Sequence, residues 1–336
     1  MDTRAWYRDR PVLILGAAGF LGRHLSRALA DRGAVLTLTA TTDHSFPLLL
    51  PPGERVRQRV CDVRVPAGLA DVVQGQEVIF NLAGRSGSVA STRHPELDAQ
   101  VNVLGALAVL EAARLHAPRA KLVFPGSRLQ YGKVERLPVA EDAPLRPLTP
   151  YGVHKLAAEL HHRNYWQVFG VRTTVLRITI PFGAQVWLAE RDFGIANRFI
   201  QLALQDRPLP VYGDGSQVRD YLYVGDAVEA LALAGATEAS DGQVYNVGLG
   251  EGITLLDFAR LAIAEAGGGR VEHVPWPALA LAVETGDFVA DVGRIRAALG
   301  WRPRVTLRDG VRRTVAELRQ QRAQPTTPSA DPPAGG

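Results

Sequence analysis

Short apolar runs alternate with amphipathic helical patterns over the first 180 residues of the chain. The run PVLIL is apolar throughout, which is typical of a strand buried on both faces of a sheet. The segment after it repeats apolar residues three and four positions apart, which indicates a helix with one buried face. The pattern predicts strands at 11–15, 35–39, 55–63, 77–82, 121–124 and 171–178, and helices at 20–32, 99–116 and 150–169.

This alternation predicts an α/β fold in which a doubly wound parallel sheet is covered by helices on both faces. Ligands of such sheets bind at the carboxyl ends of the strands. After about residue 181 the pattern loosens, with helices predicted at 224–233, 255–266 and 311–322. We expect a first domain over 1–180, which also takes a strand and a helix from about 211–245, and a smaller substrate lobe over 181–320. The proline- and glycine-rich end, 323–336, is predicted to be a disordered tail.

Composition narrows the class of protein. The chain has 336 residues, of which 46% are hydrophobic and 21% charged, a balance typical of a globular protein. The net charge is +4, but the arginines form no basic run, so no nucleic-acid partner is predicted. One cysteine, Cys61, excludes an intrachain disulfide and a cysteine zinc cluster, and no metal is predicted. The first residues, MDTRAWYRDR, lack the apolar core typical of a signal peptide, and no apolar run reaches the length of a membrane span, so we expect a cytoplasmic protein without membrane contact.

A glycine-rich turn follows the first predicted strand and opens the first helix. Its sequence, GAAGFLG, places Gly16, Gly19 and Gly22 at a G-x-x-G-x-x-G spacing. Glycines here allow a tight turn, close approach of the backbone to a pyrophosphate, and packing of the helix on the sheet. The free N–H groups at the helix N-terminus then favour a phosphate, so the turn predicts a dinucleotide cofactor.

The choice between NAD and NADP stays open in the sequence. The acid that binds the ribose diol of NAD is expected at the end of the second strand, where this chain has Ala40. Asp43 lies three residues late and suits a turn. Arg23 is either a surface residue or a source of positive charge for a 2′-phosphate. Asp62 is placed either to bond an adenine amino group or to cap a turn.

A tyrosine and a lysine four residues apart form a candidate acid/base pair. Tyr151 and Lys155 share one face of the predicted helix, and Lys155 is one of only three lysines. A nearby ammonium and a helix N-terminus both favour phenolate, which is how a tyrosine can act as a general base. Ser127, at the end of the fifth strand, can bond the same substrate oxygen. Chance also produces such a spacing, and a serine there can be purely structural.

These motifs together resemble the extended short-chain dehydrogenase/reductases, and the later segments resemble their nucleotide-sugar epimerase/dehydratase branch. The resemblance runs from about residue 11 to 318 and rests on the glycine turn, NLAG at 81–84, Asn102 in VNVLGA, Ser127 before YG, Tyr151 with Lys155, VYGDGSQVRDYLYVGD at 211–226, YNVG at 245–248 and LGWRPRVTLRDGV at 299–311. It implies a Rossmann domain that holds NAD or NADP and a lobe that binds a nucleoside diphosphate sugar. It also implies a homodimer through helices 99–116 and 151–168.

The resemblance implies roles for individual residues. Ser127, Tyr151 and Lys155 are the predicted catalytic residues, Asn102 is a structural helper, and Arg219 contacts the pyrophosphate. Arg219 can instead pair with Asp220 or Asp214. The predicted cofactor contacts are Gly16, Gly19, Phe20, Leu21, Gly22, Arg23, Asp62, Val63, Leu82, Ala83, Gly84, Asn102, Tyr151 and Lys155. The predicted substrate contacts are Arg85, Ser86, Ser127, Arg128, Tyr151, Arg198, Arg219 and Asp287.

Departures from the family pattern bear on the reaction. Nucleotide-sugar 4,6-dehydratases carry an Asp-Glu pair where this chain has Arg128 and Leu129, so dehydration is not expected. The family often has asparagine where this chain has Ile180 and arginine where it has Glu284. In the family both positions lie where substrate or nucleotide is bound, so the resemblance does not imply a uridine nucleotide. His161 and His162 face different directions on a helix and are predicted to lie at the surface.

Three functions are compatible with these residues. The first is an epimerase of nucleotide sugars acting at C4 through a transient 4-keto sugar. The second is an NADPH-dependent ketoreductase of 4-keto-6-deoxysugars, which Ala40 favours. The third is a dinucleotide-binding regulator, against which the complete set of Ser127, Tyr151 and Lys155 argues.

Overall fold

The computed structural model describes residues 2–184 and 194–323. Nearly all of the predicted tail, 324–336, therefore lies outside the described residues. The strands are β1 (Pro11–Leu15), β2 (Val35–Ala40), β3 (Val56–Val60), β4 (Val78–Asn81), β5 (Lys121–Ser127), β6 (Thr173–Ile178), β7 (Ile180–Phe182), β8 (Pro208–Tyr212), β9 (Val218–Arg219), β10 (Tyr221–Tyr223), β11 (Gln243–Val247), β12 (Ile253–Thr254) and β13 (Arg270–Val274).

The helices follow the same chain order. They are α1 (Thr3–Tyr7), α2 (Phe20–Ala30), α3 (Leu69–Val73), α4 (Ser88–Arg93), α5 (Pro95–Ala99), α6 (Gly105–His116), α7 (Pro150–Phe169), α8 (Ile195–Leu204), α9 (Val224–Ala236), α10 (Leu255–Ala266), α11 (Ala278–Ala282), α12 (Gly293–Leu299) and α13 (Leu307–Ala323). A π turn, Gln100–Leu104, joins α5 to α6. Among the described residues, no helix is both long enough and apolar enough to cross a bilayer.

A parallel sheet of seven described strands forms the centre of the molecule, in the order β11-β6-β5-β4-β1-β2-β3. One hydrophobic cluster joins the sheet to α2 and α9, and a second joins its other face to α3 and α6. This is the predicted Rossmann-type fold. The strand and helix expected from the later part of the chain are β11, which pairs with β6, and α9, which contacts β4, β5 and β6.

A third hydrophobic cluster lies in the C-terminal part of the chain. It contains Phe182, Phe199 of α8, Phe258 of α10 and Val311 of α13, with Tyr221 stacked on Phe258. Pairs of short strands, β7 with β10, β8 with β13 and β9 with β12, surround it. This is the smaller C-terminal lobe; its boundary near residue 180 stays a prediction.

Strand β5 is longer than the sequence predicted. Its register with β6 continues from Leu122 to Ser127, although residues 125 and 126 are proline and glycine. Proline has no backbone N–H, but the pairing of β4 with β5 ends at Val123, so Pro125 interrupts no hydrogen bond to β4. The extension carries Ser127 to the carboxyl edge of the sheet.

Candidate active site

The strand order reverses between β1 and β4, because β1 continues to β2 on one side and β4 to β5 on the other. A doubly wound sheet opens a crevice for its ligand at such a point, beyond the carboxyl ends of the strands. The glycine turn follows β1, and Leu82, Ala83 and Gly84 follow β4. The sequence predicted both segments as cofactor contacts, and the fold brings them together.

The glycine turn is tightly closed against the loop after β4. Gly16 has φ +72°, and a Cβ placed on it would lie 2.8 Å from the backbone of Leu82 and Ala83. A Cβ on Gly22 would lie 2.4 Å from the Gly16 carbonyl oxygen. Neither position accepts a side chain.

The N-terminus of α2 is built to accept an anion. Its N-cap residue is Gly19, which brings no side chain to the N–H groups of Phe20, Leu21 and Gly22. A Cβ on Gly19 would meet only the Gly16 carbonyl oxygen, at 3.2 Å. The N-terminal face of α2 therefore fits the pyrophosphate of a dinucleotide.

The end of β2 carries no carboxylate. Ala40 is 4% exposed, and its carbonyl oxygen accepts a hydrogen bond from Cys61 N. Thr39 Oγ1 accepts a bond of 3.4 Å from Gly16 N. Arg23 is buried at 7% exposure, so it is not the surface residue that one alternative expected. With Ala40 at this place, NAD and NADP both remain open.

Asp62 caps a turn in this structure. Its carboxylate accepts bonds of 2.9 Å from Arg64 N and 2.5 Å from Arg64 Nη2, and these bonds hold the pKa of Asp62 below its ordinary value. A contact with adenine stays a prediction. The next residue, Val63, packs against Gly105 of α6, where a Cβ would lie 2.6 Å from the Val63 Cγ2.

Asn102 holds the loop that follows β4. Its Oδ1 accepts from Arg85 N at 3.2 Å, and its Nδ2 donates to Arg85 O at 3.1 Å. Asn102 lies in the π turn between α5 and α6, and it is buried. These contacts are compatible with the structural role that the resemblance implied, which stays a prediction, as does a contact of Asn102 with the cofactor. Ser86, the next predicted substrate contact, is exposed.

Ser127, Tyr151 and Lys155 meet at the carboxyl end of β5. Thr149 Oγ1 caps α7 through Gly152 N at 3.0 Å, and Ser91 Oγ of α4 accepts from Tyr151 N at 3.1 Å. The Tyr151 side chain shares a hydrogen bond with Ser127. Lys155 is 5% exposed, with its Nζ 3.9 Å from the centre of the Phe124 ring.

The protein alone does not favour the phenolate of Tyr151, contrary to the sequence-based expectation. Burial raises the pKa of Tyr151 to about 12, with a smaller rise from Asp98, while the bond to Ser127 lowers it. Burial also lowers the pKa of Lys155 to about 7, which Asp98 opposes. Removing water penalises both charged forms, and this outweighs their spacing along the helix.

Two polar residues beside this pair were missed by the sequence analysis. The Asp98 carboxylate of α5 is 1% exposed and lies 2.6 Å from Nδ1 of His154, between Tyr151 and Lys155 on α7. Asp98 is the main charge that acts on both Tyr151 and Lys155. Its position at a helix start, PELDA, carried no signal that distinguished it from a surface acid.

The prediction for His162 was wrong. Its side chain is fully buried, and its ring stacks on Phe124 at 4.5 Å between centroids. Burial lowers the pKa of His162 to about 4, so the ring is neutral at pH 7. It sits on the buried face of α7, to which Lys155 also belongs.

Two of the predicted substrate residues, Arg128 and Arg219, lie close enough for their charges to interact. Arg219 pairs with neither Asp214 nor Asp220 but with Glu284, the residue found where the family often has arginine. Asp287 accepts from Val218 N at 2.8 Å and is exposed, as is Arg198 on α8. Contacts of Arg85, Ser86, Arg198 and Asp287 with a substrate stay predictions.

Comparisons with known proteins agree with this geometry. The model of the NAD dependent epimerase/dehydratase family matches residues 12–248. A UDP-glucose 4-epimerase of Mycolicibacterium smegmatis is 32% identical over 92% of this chain and 98% of that protein. A dTDP-glucose 4,6-dehydratase of Streptomyces griseus is 30% identical over 96% of this chain and 99% of that protein. The solved structure of a Thermus thermophilus UDP-glucose 4-epimerase with NAD is 30% identical, with a TM-score of 0.81 over 92% of this chain and 99% of that one.

Proposed function

The chain belongs to the NAD-dependent epimerase/dehydratase family, and we propose that within it the protein is a nucleotide-sugar epimerase that acts at C4 through a transient 4-keto sugar. The observation that carries the proposal is the bond between Ser127 and Tyr151 beside the switch-point crevice. Ser127 and Tyr151 are both hydroxyls that can share a proton with one substrate oxygen.

The roles of the protein groups follow from their positions. Tyr151 takes the proton from the sugar hydroxyl and returns it, and Ser127 holds the same oxygen through a hydrogen bond. Lys155 lies one helical turn further along α7, where it holds the cofactor ribose. A nicotinamide cofactor would supply the hydride acceptor and donor for the carbinol carbon, and the N-terminus of α2 would hold the pyrophosphate of that cofactor.

The dehydratase activity of one relative does not carry over to this chain. In the proposed mechanism, dehydration needs an acid beside Ser127 to protonate a departing hydroxyl. Arg128 and Leu129 stand there, and neither can act as that acid at neutral pH. Overall similarity does not separate the two activities, since relatives of both kinds are about equally similar.

A second candidate function is the NADPH-dependent ketoreductase. Ala40 favours it, because a strand end without a carboxylate does not exclude a 2′-phosphate. The same Ser127, Tyr151 and Lys155 would then serve a single hydride transfer. The two functions differ in whether the cofactor is consumed.

A panel of UDP-, dTDP- and GDP-sugars, followed by NMR, tests the proposal. We expect the purified protein to convert at least one sugar into a mixture of its C4 epimers without net change in nicotinamide absorbance. Cofactor released on denaturation should be NAD recycled between turnovers. Stoichiometric consumption of NADPH would establish the ketoreductase instead, and conversion of no sugar would refute both catalytic functions.

We also propose a homodimer through the surface of α6 and α7. Four large apolar residues on or next to these helices are exposed: Leu104 of the π turn (59%), Leu115 of α6 (57%), and Val153 (48%) and Leu160 (51%) of α7. Val153 and Leu160 are two turns apart and therefore share one face of α7. Such a stripe would be buried by a second copy of the chain.

Replacement of Leu160 by aspartate should break this dimer. Light scattering after gel filtration should give twice the chain mass of 36.3 kDa for the wild type and the single mass for Leu160→Asp. Val65→Asp is the matched control, because Val65 is 57% exposed but lies outside these helices. A monomeric wild-type protein would rule the proposal out.

A further inference from the structure

Two guanidinium groups, those of Arg128 directly after Ser127 and of Arg219 in β9, lie close enough for their charges to interact, but they differ in their partners. Arg219 is 6% exposed, and three protein groups accept hydrogen bonds from it. Its Nη2 binds the Glu284 carboxylate, and its Nη1 donates to Val218 O at 2.9 Å and Gly286 O at 2.8 Å. Three of its five N–H donors are therefore occupied within the described residues before any substrate arrives.

Arg128 has far fewer partners. Its Nη1 donates to Thr285 Oγ1 at 3.0 Å, and its guanidinium lies 5.7 Å from the centre of the Phe288 ring. Within 2–184 and 194–323, no carboxylate lies within ion-pair distance of it. A guanidinium carries five N–H donors, and only one of those on Arg128 has a recorded acceptor among the described residues.

The surroundings of Arg128 make an isolated cation costly. Burial and the like charge of Arg219 lower the pKa of Arg128 to about 10. The nearby carboxylates already have partners: Glu284 binds Arg219, and Asp220 accepts from the N–H groups of Leu249, Gly250 and Ala290. A half-buried guanidinium with open donors is stabilised by an anion that accepts from it.

A hydroxyl close to the same charges also has no acceptor. Tyr221 is 1% exposed, and the structure gives its hydroxyl no partner among the described residues. The charges that act on it are those of Arg219, Arg128 and Glu284. This cluster of groups therefore contains more donors than acceptors.

We propose that Arg128 supplies donors that bind an anionic group of the substrate, while Glu284 and Gly286 hold Arg219 against the 284–287 loop. The proposal rests on the proposed function, because the adjacent Ser127 holds the reacting sugar oxygen. The anion is either the diphosphate of the nucleotide or a carboxylate on the sugar, since both offer paired oxygens to a planar guanidinium.

Calorimetry with UDP, UDP-glucose and UDP-glucuronic acid on the purified protein with its bound cofactor tests this assignment. Arg128→Gln should weaken binding by about 10- to 100-fold, the range expected for a hydrogen-bonded charge pair. An equal loss for all three ligands identifies the diphosphate as the anion. A loss confined to UDP-glucuronic acid identifies the sugar carboxylate.

Two further variants separate binding from folding. Arg128→Lys keeps the charge but not the planar fork, so it should recover part of the affinity. Arg260→Gln removes an exposed arginine elsewhere and should bind as the wild type does. An unchanged cofactor content and unfolding midpoint would show that Arg128→Gln is folded.

The outcomes distinguish this inference from the proposed function. Binding that depends on Arg128 supports the inference even if the wild type converts no sugar. If Arg128→Gln binds all three ligands as tightly as the wild type, or if the wild type binds none of them, the assignment of Arg128 is overturned. A sugar panel that shows epimerisation would leave the proposed function standing in either case.

Discussion

Replacement of Tyr151 by phenylalanine should lower kcat for sugar conversion by about 10²- to 10⁴-fold, the usual contribution of a positioned general acid or base. The change removes only the hydroxyl that shares a bond with Ser127. The phenyl ring keeps its place on α7, so KM and cofactor content should change little. Steady-state rates of wild type and Tyr151→Phe, measured on the best sugar of the panel, give the comparison.

Tyr165→Phe is a matched control for this experiment. Tyr165 lies on the same helix, and its hydroxyl binds the Glu111 side chain, well away from Ser127. This variant should retain the wild-type kcat. Equal rates for Tyr151→Phe and wild type would show that Tyr151 is not the acid/base.

The raised pKa of Tyr151 sets a condition on this chemistry. A hydroxyl with a pKa of about 12 stays protonated at pH 7, so the chain without its ligands holds Tyr151 as an acid. Both Tyr151 and Lys155 are disfavoured as ions by the same burial. The protonation state of Tyr151 therefore depends on the exclusion of water from the site and on the charges that bound ligands bring. The i, i+4 spacing of Tyr151 and Lys155 alone does not determine it.

Features set by short-range spacing were predictable from the sequence. Helix α7 begins and ends where its pattern predicted, at Pro150 and Phe169, because Thr149 caps its start and Gly170 ends it with φ +67°. The glycine turn was equally readable, since Gly16 has a positive φ and a Cβ on Gly22 would meet the Gly16 carbonyl oxygen. The helix at 99–116 was predicted too short, because α5 and a π turn precede α6.

The partners of buried charges were not predictable in this way. Asp98 contacts His154, which is 56 positions away in the sequence, and Arg219 contacts Glu284, which is 65 positions away. Such pairs depend on which loops the tertiary fold brings together, and no local periodicity encodes that choice. The sequence analysis considered Asp214 and Asp220 as partners of Arg219, but in the structure Arg219 pairs with Glu284.

A buried ion pair links the core of the sheet to the candidate active site. Glu159 of α7 is fully buried, and it binds Arg177 of β6 through two bonds, 2.5 Å to Nη2 and 2.9 Å to Nε. Although burial opposes its charge, the bonds and charge of Glu159 raise the pKa of Arg177. Gln130 donates to Glu159 at 2.7 Å and accepts from Ser127 N at 2.6 Å, so the pair also fixes the backbone of Ser127.

Glu159→Gln should reduce the free energy of unfolding by about 3–5 kcal/mol, the usual cost of leaving one charge of a buried pair without its partner. Arg177 would keep its bonds of 2.7 Å to the Tyr131 hydroxyl and 2.9 Å to the Glu141 carbonyl oxygen, but neither group carries a compensating charge. Urea denaturation at pH 7 measures the effect as a lower midpoint with an unchanged slope.

Glu77→Gln is the matched control, because it breaks the Arg10–Glu77 pair, whose side chains are 38% and 47% exposed. A surface pair of this kind contributes less than about 1 kcal/mol, since water and salt screen both charges. A similar small loss for Glu159→Gln would mean that Arg177 reaches solvent or another acceptor when its partner is removed. A large loss in Glu159→Gln alone would establish that the stability of the fold depends on the buried charge of Glu159.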